Sequence, residues 1–253
     1  MGISGVIITI EAKVVNKKGL DKEGLNKGSL VYSHERLDDL QCGGYHIIQD
    51  PKKFCFGIDA VCLSNFVKIK KGDRVLDLGT GTGIIPILLS AKTDASHITG
   101  LEIQPDMADM AQRSVKLNDL CDRIKIDCGD IKKPPYAANH FDVVTVNPPY
   151  MNDGGGVYNE SESKTIARHE VLCTLSDVIS ASARLLKTGG RLYMVHRPHR
   201  LMDVLCTLRK RNLEPKTMQF VQSGPVHEPS LVLIEALDHG KPMLKVLPTE
   251  MSR

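Results

Sequence analysis

The sequence predicts an α/β fold: a doubly wound, mostly parallel sheet of seven strands with helices on both faces and a short N-terminal extension. Two observations carry this. Between residues 74 and 211, short apolar runs of strand length alternate with longer stretches of helical apolar spacing. That is the pattern of strands buried on both sides and joined by helical crossovers. The last two apolar runs, at 217–221 and 231–237, read instead as an antiparallel pair of strands.

Composition sets the outer limits. A chain of 253 residues that is 42% hydrophobic can build one large domain with a small appendage. No apolar run approaches the roughly 18 residues needed to cross a bilayer. The start, Met1-Gly2-Ile3-Ser4-Gly5-Val6, has neither the basic leader nor the long apolar core of a signal peptide. Seven scattered cysteines, with no CxxC pair, suit reduced thiols in the cytoplasm better than a disulfide framework or a zinc site. The net charge of +3 is too small for the whole chain to attract nucleic acid, so any basic footprint must be local.

Residues 1–32 are polar and punctuated by lysine and glycine, and read as a weakly ordered extension. A lysine-rich arm that touches RNA is the alternative. Residues 33–68 read as a hairpin and helix packed on the main domain. Its strands are expected at 45–49 and 53–56 around a turn at Asp50-Pro51, and its helix over 60–67. Asp59 is placed to cap that helix or to touch a ligand.

The main domain, 69–247, opens with Arg74-Val75-Leu76-Asp77-Leu78, the first strand of the sheet. It runs into Gly79-Thr80-Gly81-Thr82-Gly83 and a helix over 84–91. Alternate glycines allow a tight turn and bring backbone N–H groups close to a ligand at the helix start. The dinucleotide fingerprint fails, because the third glycine it requires is Ile84 or Pro86 here. Asp77 would repel a pyrophosphate and suits a cationic ligand.

The second strand, 97–101, ends in Glu102-Ile103, where an acidic side chain can accept both hydroxyls of a ribose. A helix follows over 105–120, with Met107, Met110, Ala111, Val115 and Leu117 as its core face. The third strand, 124–131, carries Asp130, which either accepts from an adenine amino group or caps the turn.

The fourth strand, 141–146, delivers Asn147-Pro148-Pro149-Tyr150 to the carboxyl end of the sheet, where open α/β folds place their sites. These residues suit methylation of a planar amino group, whose lone pair is delocalised and poorly nucleophilic. The Asn147 side-chain oxygen and the Pro148 carbonyl can accept its two N–H protons and shift electron density onto the nitrogen. Tyr150 offers a face on which a base can stack, worth roughly 1–3 kcal/mol.

Residues 151–164 read as a loop beside the site. His169 is a structural hydrogen-bonder or a general base. Helices follow at 171–186 and 201–211, with a strand at 191–195 between them. From Arg184 to Lys216 the only acidic residues are Asp203 and Glu214, which makes this the best local basic footprint in the chain.

In order and at sheet-compatible spacing, the glycine turn after Asp77, Glu102 and Asn147-Pro148-Pro149-Tyr150 resemble the class I S-adenosylmethionine-dependent methyltransferases that modify amino groups. More narrowly, Phe54-Cys55-Phe56-Gly57-Ile58-Asp59-Ala60, Ala167-Arg168-His169-Glu170 and His196-Arg197-Pro198-His199-Arg200 look like the bacterial valine-tRNA adenine-N6 methyltransferase family. The resemblance covers roughly residues 35–247. It implies S-adenosyl-L-methionine as cofactor and an RNA, adenine 37 of valine tRNA, as substrate. Asp77, Gly79, Gly81 and Gly83 would hold the methionine part, Glu102 and Ile103 the ribose, and Asp130 the adenine ring. Asn147 would border the cofactor, and Asn147, Pro148, Pro149 and Tyr150 would grip the target base. Arg197 and Arg200 would contact the RNA. No metal and no membrane are implied. The same clamp fits a glutamine amide, so a protein glutamine N5-methyltransferase is the rival reading; a non-catalytic RNA-binding protein is the third.

Overall fold

The computed structural model describes residues 30–53, 55–148 and 173–252. Its centre is a sheet of seven principal strands: β3 (Arg74–Leu78), β4 (His97–Glu102), β5 (Ile124–Cys128), β6 (Phe141–Val146), β7 (Leu186–His196), β8 (Leu213–Gln222) and β9 (Leu231–Asp238). Across the sheet the order is β5-β4-β3-β6-β7-β9-β8. The first five strands in that order are parallel, and β9 runs antiparallel to both β7 and β8. The chain order reverses between β3 and β6, so the crevice above their carboxyl ends is the natural ligand site.

Successive strand residues face opposite layers, and the two cores follow from that alternation. Val75, Ile98, Val143 and Val195 pack under α1 (Ile58–Phe66), α2 (Ile84–Lys92) and α3 (Pro105–Leu117). Leu76, Leu78, Val144, Val146 and Met194 pack under α4 (Leu175–Leu185) and α5 (Leu201–Lys210). The expected core face of α3, Met107 to Leu117, is buried throughout. A capping box between Thr174 and Asp177 starts α4.

Three expectations change. The small hairpin pairs β1 (Arg36–Asp39) with β2 (His46–Gln49), and residues 53–56 are not its second strand. Within it Phe56 N–H donates to Gln49 Oε1 at 2.9 Å and the Cys55 thiol lies on the Asp50 carbonyl, while Phe54 lies outside the described residues. Gly57, not Asp59, is the N-cap of α1, and Asp59 sits inside the first turn, where its charge still favours the positive helix end. Leu30 and Val31, assigned to the extension, pack against Leu37, Ile48, Met110 and Leu117. Beside them Arg113 makes a two-pronged ion pair with the buried Glu35, at 2.6 and 2.7 Å.

Two further short strands, β10 (Lys245–Val246) and β11 (Glu250–Met251), lie parallel along the outer edge of β8. They cover an edge that would otherwise present unpaired backbone groups.

Candidate active site

The glycine turn after β3 is shaped by its own backbone. The N–H groups of Gly79 and Thr80 both donate to the Leu101 carbonyl at the end of β4, at 2.9 and 3.1 Å. Gly83 caps α2 at φ 84°, a left-handed conformation, and a Cβ there would meet the Ala111 Cβ at 3.2 Å. At Gly81, also left-handed, a Cβ would meet nothing within 4 Å, so the turn has open space beside it. A ligand can therefore lie against this backbone at the start of α2.

Two carboxylates flank the turn. Glu102 is buried at the end of β4, where Oε2 accepts from Gly81 N–H at 2.9 Å. Its Oε1 accepts from Gln104 N–H at 2.9 Å and from the Gln104 side-chain amide at 3.2 Å. Lone pairs remain for a diol, and Gln104 is the group a second hydroxyl would displace. Ile103 follows, half-buried.

Asp77 is fully buried beneath the turn, and its Oδ1 accepts from the Thr145 hydroxyl at 2.6 Å. Burial pushes its pKa up to about 7; the hydroxyls of Thr145 and Thr80 pull the other way, and the Glu102 charge adds to the rise. Thr80 steadies the charge by proximity but lies outside hydrogen-bond geometry. Asp77 Oδ2 and Thr80 Oγ1 are thus left without hydrogen-bond partners. A buried carboxylate with an unsatisfied oxygen is expensive on its own and is relieved by a nearby cation. Turn, diol acceptor and buried anion together fit S-adenosylmethionine, which combines a ribose with a sulfonium and an ammonium.

Asp130 lies just beyond β5, where its Oδ1 accepts from Lys132 N–H at 2.8 Å. The turn-capping alternative is therefore realised in one of its oxygens. At the head of the crevice Leu78 pairs with Val146, which sets Asn147 and Pro148 directly beside the glycine turn. Asn147 falls on the same face of β6 as Thr145, the face of Asp77. Pro149, Tyr150 and His169 lie outside the described residues.

Sequence reasoning missed Thr145 and the position of His196. Thr145 reads as an ordinary strand residue until the register pairs it with Asp77. His196 ends β7, and continuing the Val146–Met194 register sets it beside Pro148. Burial lowers its pKa to about 4, helped by the nearby side chains of Arg200, His199 and Arg197. It is neutral at physiological pH, with Nδ1 accepting from Arg197 N–H at 2.9 Å.

The basic segment from Arg184 to Lys216 is not one footprint. β7 spans 11 residues, roughly 36 Å at 3.3 Å each, so its two ends face opposite ends of the sheet. Arg197 and Arg200 stand at the site end, on the Ser230 carbonyl at 3.2 Å and on Asp203 at 2.8 Å. Arg184 and Lys187 are at the far end, and Lys187 pairs with Asp142. Arg191 and Arg209 pair with Glu235 and Glu214.

Among the described residues no helix is long and apolar enough to cross a membrane. No group of three or more His, Cys, Asp or Glu among them could hold a metal ion.

The fold is that of the class I methyltransferases. A predicted O-methyltransferase from Agrobacterium tumefaciens superposes with a TM-score of 0.62 at 21% identity, over 76% of this chain and 86% of that one. An S-adenosylmethionine-dependent O-methyltransferase from Thermotoga maritima gives 0.53 at 18% identity, over 76% and 68%. A family profile described as a methyltransferase domain matches residues 75–154.

Sequence relatives are more specific. A tRNA1(Val) (adenine(37)-N6)-methyltransferase of Histophilus somni is 30% identical over 153 residues, 60% of this chain and 64% of its own length. A protein of the same name from Porphyromonas gingivalis is 30% identical over 63% of this chain and 64% of its own length. Another from Phocaeicola vulgatus is 27% identical, over 78% and 83%. The chain thus aligns with just under two thirds of the length of the first two.

Proposed function

We propose that this protein is an S-adenosylmethionine-dependent methyltransferase that acts in the cytoplasm on the N6 amino group of an adenine in RNA, adenine 37 of a valine tRNA. The observation that carries the reading is the placement of Asn147-Pro148 at the head of β6, beside the glycine turn and on the face of Asp77. The names of the sequence relatives support the choice of adenine over a glutamine amide.

S-adenosylmethionine, when bound, supplies an electrophilic methyl group on sulfur. The chain's own residues hold and orient the reactants. The turn from Gly79 to Gly83 lies along the methionine part, Asp77 faces its cationic groups from below, Glu102 accepts from the ribose, and Asp130 borders the adenine. The Asn147 Oδ1 and the Pro148 carbonyl accept the two N–H protons of the target amine, which raises the electron density on N6 as it attacks. Pro148 has no N–H to compete for those acceptors and fixes the turn, so orientation is set before the reaction. Tyr150 stacks on the base. The base must leave any stack to reach the clamp, which favours an unpaired loop nucleotide.

The test is single-turnover methylation of an unmodified tRNA transcript, followed by mass spectrometry of its nucleosides. N6-methyladenine should appear at one position. Asn147→Ala should slow turnover by roughly a hundredfold while cofactor affinity holds, as for loss of one preorganised hydrogen-bonding group. A near-wild-type rate in that variant would reduce the clamp to a turn. Transfer of the label to a protein glutamine instead would assign the rival substrate.

A further inference from the structure

The end of the sheet opposite the site carries an unneutralised band of positive charge. It is built from the segment Lys68-Ile69-Lys70-Lys71-Gly72-Asp73-Arg74, which enters β3, together with the carboxyl end of α2 and the entry to β5. These pieces are locked together. Gly72 N–H donates to the Asp94 carbonyl at 3.1 Å, Ser96 N–H to the Asp73 carbonyl at 2.9 Å, and Ile98 N–H to the Arg123 carbonyl at 2.9 Å. Six cations meet here: Lys68, Lys70, Lys71, Arg74, Lys92 and Arg123. None makes an ion pair among the described residues. Asp73, Asp94 and Asp142 are the nearby acids; Asp142 accepts from the Arg74 N–H and already pairs with Lys187, so the band keeps an excess of positive charge.

Part of this band borders an open cavity of about 530 Å³ lined by Tyr45, Lys71, Lys92, Thr93, Asp94 and Arg123. Arg123 is aimed by two carbonyls at the end of α2, Ser90 at 2.9 Å and Thr93 at 3.0 Å. Lys92 reaches only neutral acceptors, the Ser64 hydroxyl and the Asn65 side-chain oxygen. Burial draws its ammonium below its ordinary pKa, the response of a desolvated cation that lacks a counter-charge.

We propose that this basal face docks the phosphate backbone of the RNA substrate at a distance from the target base; the inference rests on the RNA reading above. Cations held apart from carboxylates, some flexible and exposed and some fixed at a concave wall, are what neutralises a phosphate chain without reading sequence. The five-residue strand β3 puts the face roughly 17 Å from the glycine turn, at about 3.3 Å per residue. A folded RNA is longer than that, and a short loop fragment is not. The face would thus serve a whole tRNA and be idle for a minimal substrate.

The test uses the full chain with Lys68, Lys70 and Lys71 changed together to alanine. Their side chains are exposed, hold no structural contact among the described residues and lie outside the catalytic machinery. Binding of a full tRNA transcript and of its isolated anticodon stem-loop is measured by fluorescence anisotropy across a salt series, with methylation of each scored in parallel. For the full transcript the log-affinity versus log-salt slope should flatten by roughly 0.9 for each phosphate no longer neutralised. Affinity for the stem-loop, and its methylation, should be unchanged. An unaltered slope on the full transcript, or equal losses on both RNAs, overturns the inference while stem-loop methylation leaves the RNA reading standing. A variant that loses binding of inorganic pyrophosphate but keeps the transcript would make this a small-anion site and also overturns it. Failure of the wild-type protein to bind or methylate either RNA removes both readings.

Discussion

Replacing Asp77 by asparagine should shift stability in favour of the variant as pH rises and weaken cofactor binding at the same time. The carboxyl is fully buried, with Oδ2 unsatisfied, and its pKa rises from an ordinary 3.8 to about 7. Between those values the folded state holds a proton that the unfolded state has lost, so stability falls as pH rises through the window. The penalty is absent below pH 4 and complete above pH 7. At 1.36 kcal/mol per pH unit, it reaches about 4 kcal/mol in full and less than half of that at pH 5.

The asparagine side chain does not titrate and nearly preserves the shape. The difference in unfolding free energy between Asp77→Asn and wild type should therefore shift in favour of the variant by roughly 2–3 kcal/mol from pH 5 to pH 8. Every titrating group not coupled to Asp77 cancels in that comparison, as does the constant cost of fitting an amide beside Thr145 and Thr80; Glu102 is the one coupled neighbour. Urea titrations of both proteins at the two pH values supply the four numbers. A stability difference that is the same at pH 5 and pH 8 would refute a buried, titrating Asp77. The ligand side follows from the same charge. A cation bound nearby favours the ionised form, so S-adenosylmethionine binding near pH 6 should release protons. Calorimetry in two buffers of different ionisation enthalpy reads that release, and Asp77→Asn should abolish it.

Some of this was legible in the sequence and some was not, for physical reasons. β3 and β6 are buried on both faces, so each is a largely apolar run that ends at a glycine or an asparagine–proline turn, and a short sequence window contains the whole signal. β1 carries its strand character nowhere in its own residues. Arg36-Leu37-Asp38-Asp39 has one apolar side chain and two aspartates, which disfavour strands. It pairs because Asp38 is buried against Arg36 and Gln49, and that partner lies across the turn. The basic segment failed for the opposite reason. Its residues are contiguous in sequence, but a long strand and an antiparallel return carry them to both ends of the sheet. The strongest unpaired charge came from pieces near residues 70, 92 and 123, which no local window joins. Thr145 is the same lesson at the scale of one hydroxyl, since its role exists only through the register of β6 on β3.

The remaining predictions concern the turn and its surroundings. Gly83→Ala should destabilise the fold by about 1–2 kcal/mol, because φ is 84° and the new Cβ would press on Ala111; an unchanged urea midpoint would mean the turn relaxes freely. Arg197→Ala should weaken stem-loop and full transcript alike, since it stands at the site end; loss confined to the full transcript would move it out of the crevice. Glu102→Ala has two consequences that the geometry separates. The carboxylate is both the acceptor for Gly81 N–H and the expected seat of the ribose. Removing it should lower S-adenosylmethionine affinity by about 1.5–3 kcal/mol, the range for hydrogen bonds to a charged group. It should also free the Gly81 amide, whose hydrogen exchange should quicken in the protein without ligand. Glu102→Gln keeps one carbonyl oxygen of similar reach, so the Gly81 amide can stay protected while the charge that strengthens a diol contact is gone. Slow exchange with weakened binding in the glutamine variant places the ribose on Glu102. Normal binding in both variants would leave Glu102 as a support of the turn and place the ribose elsewhere.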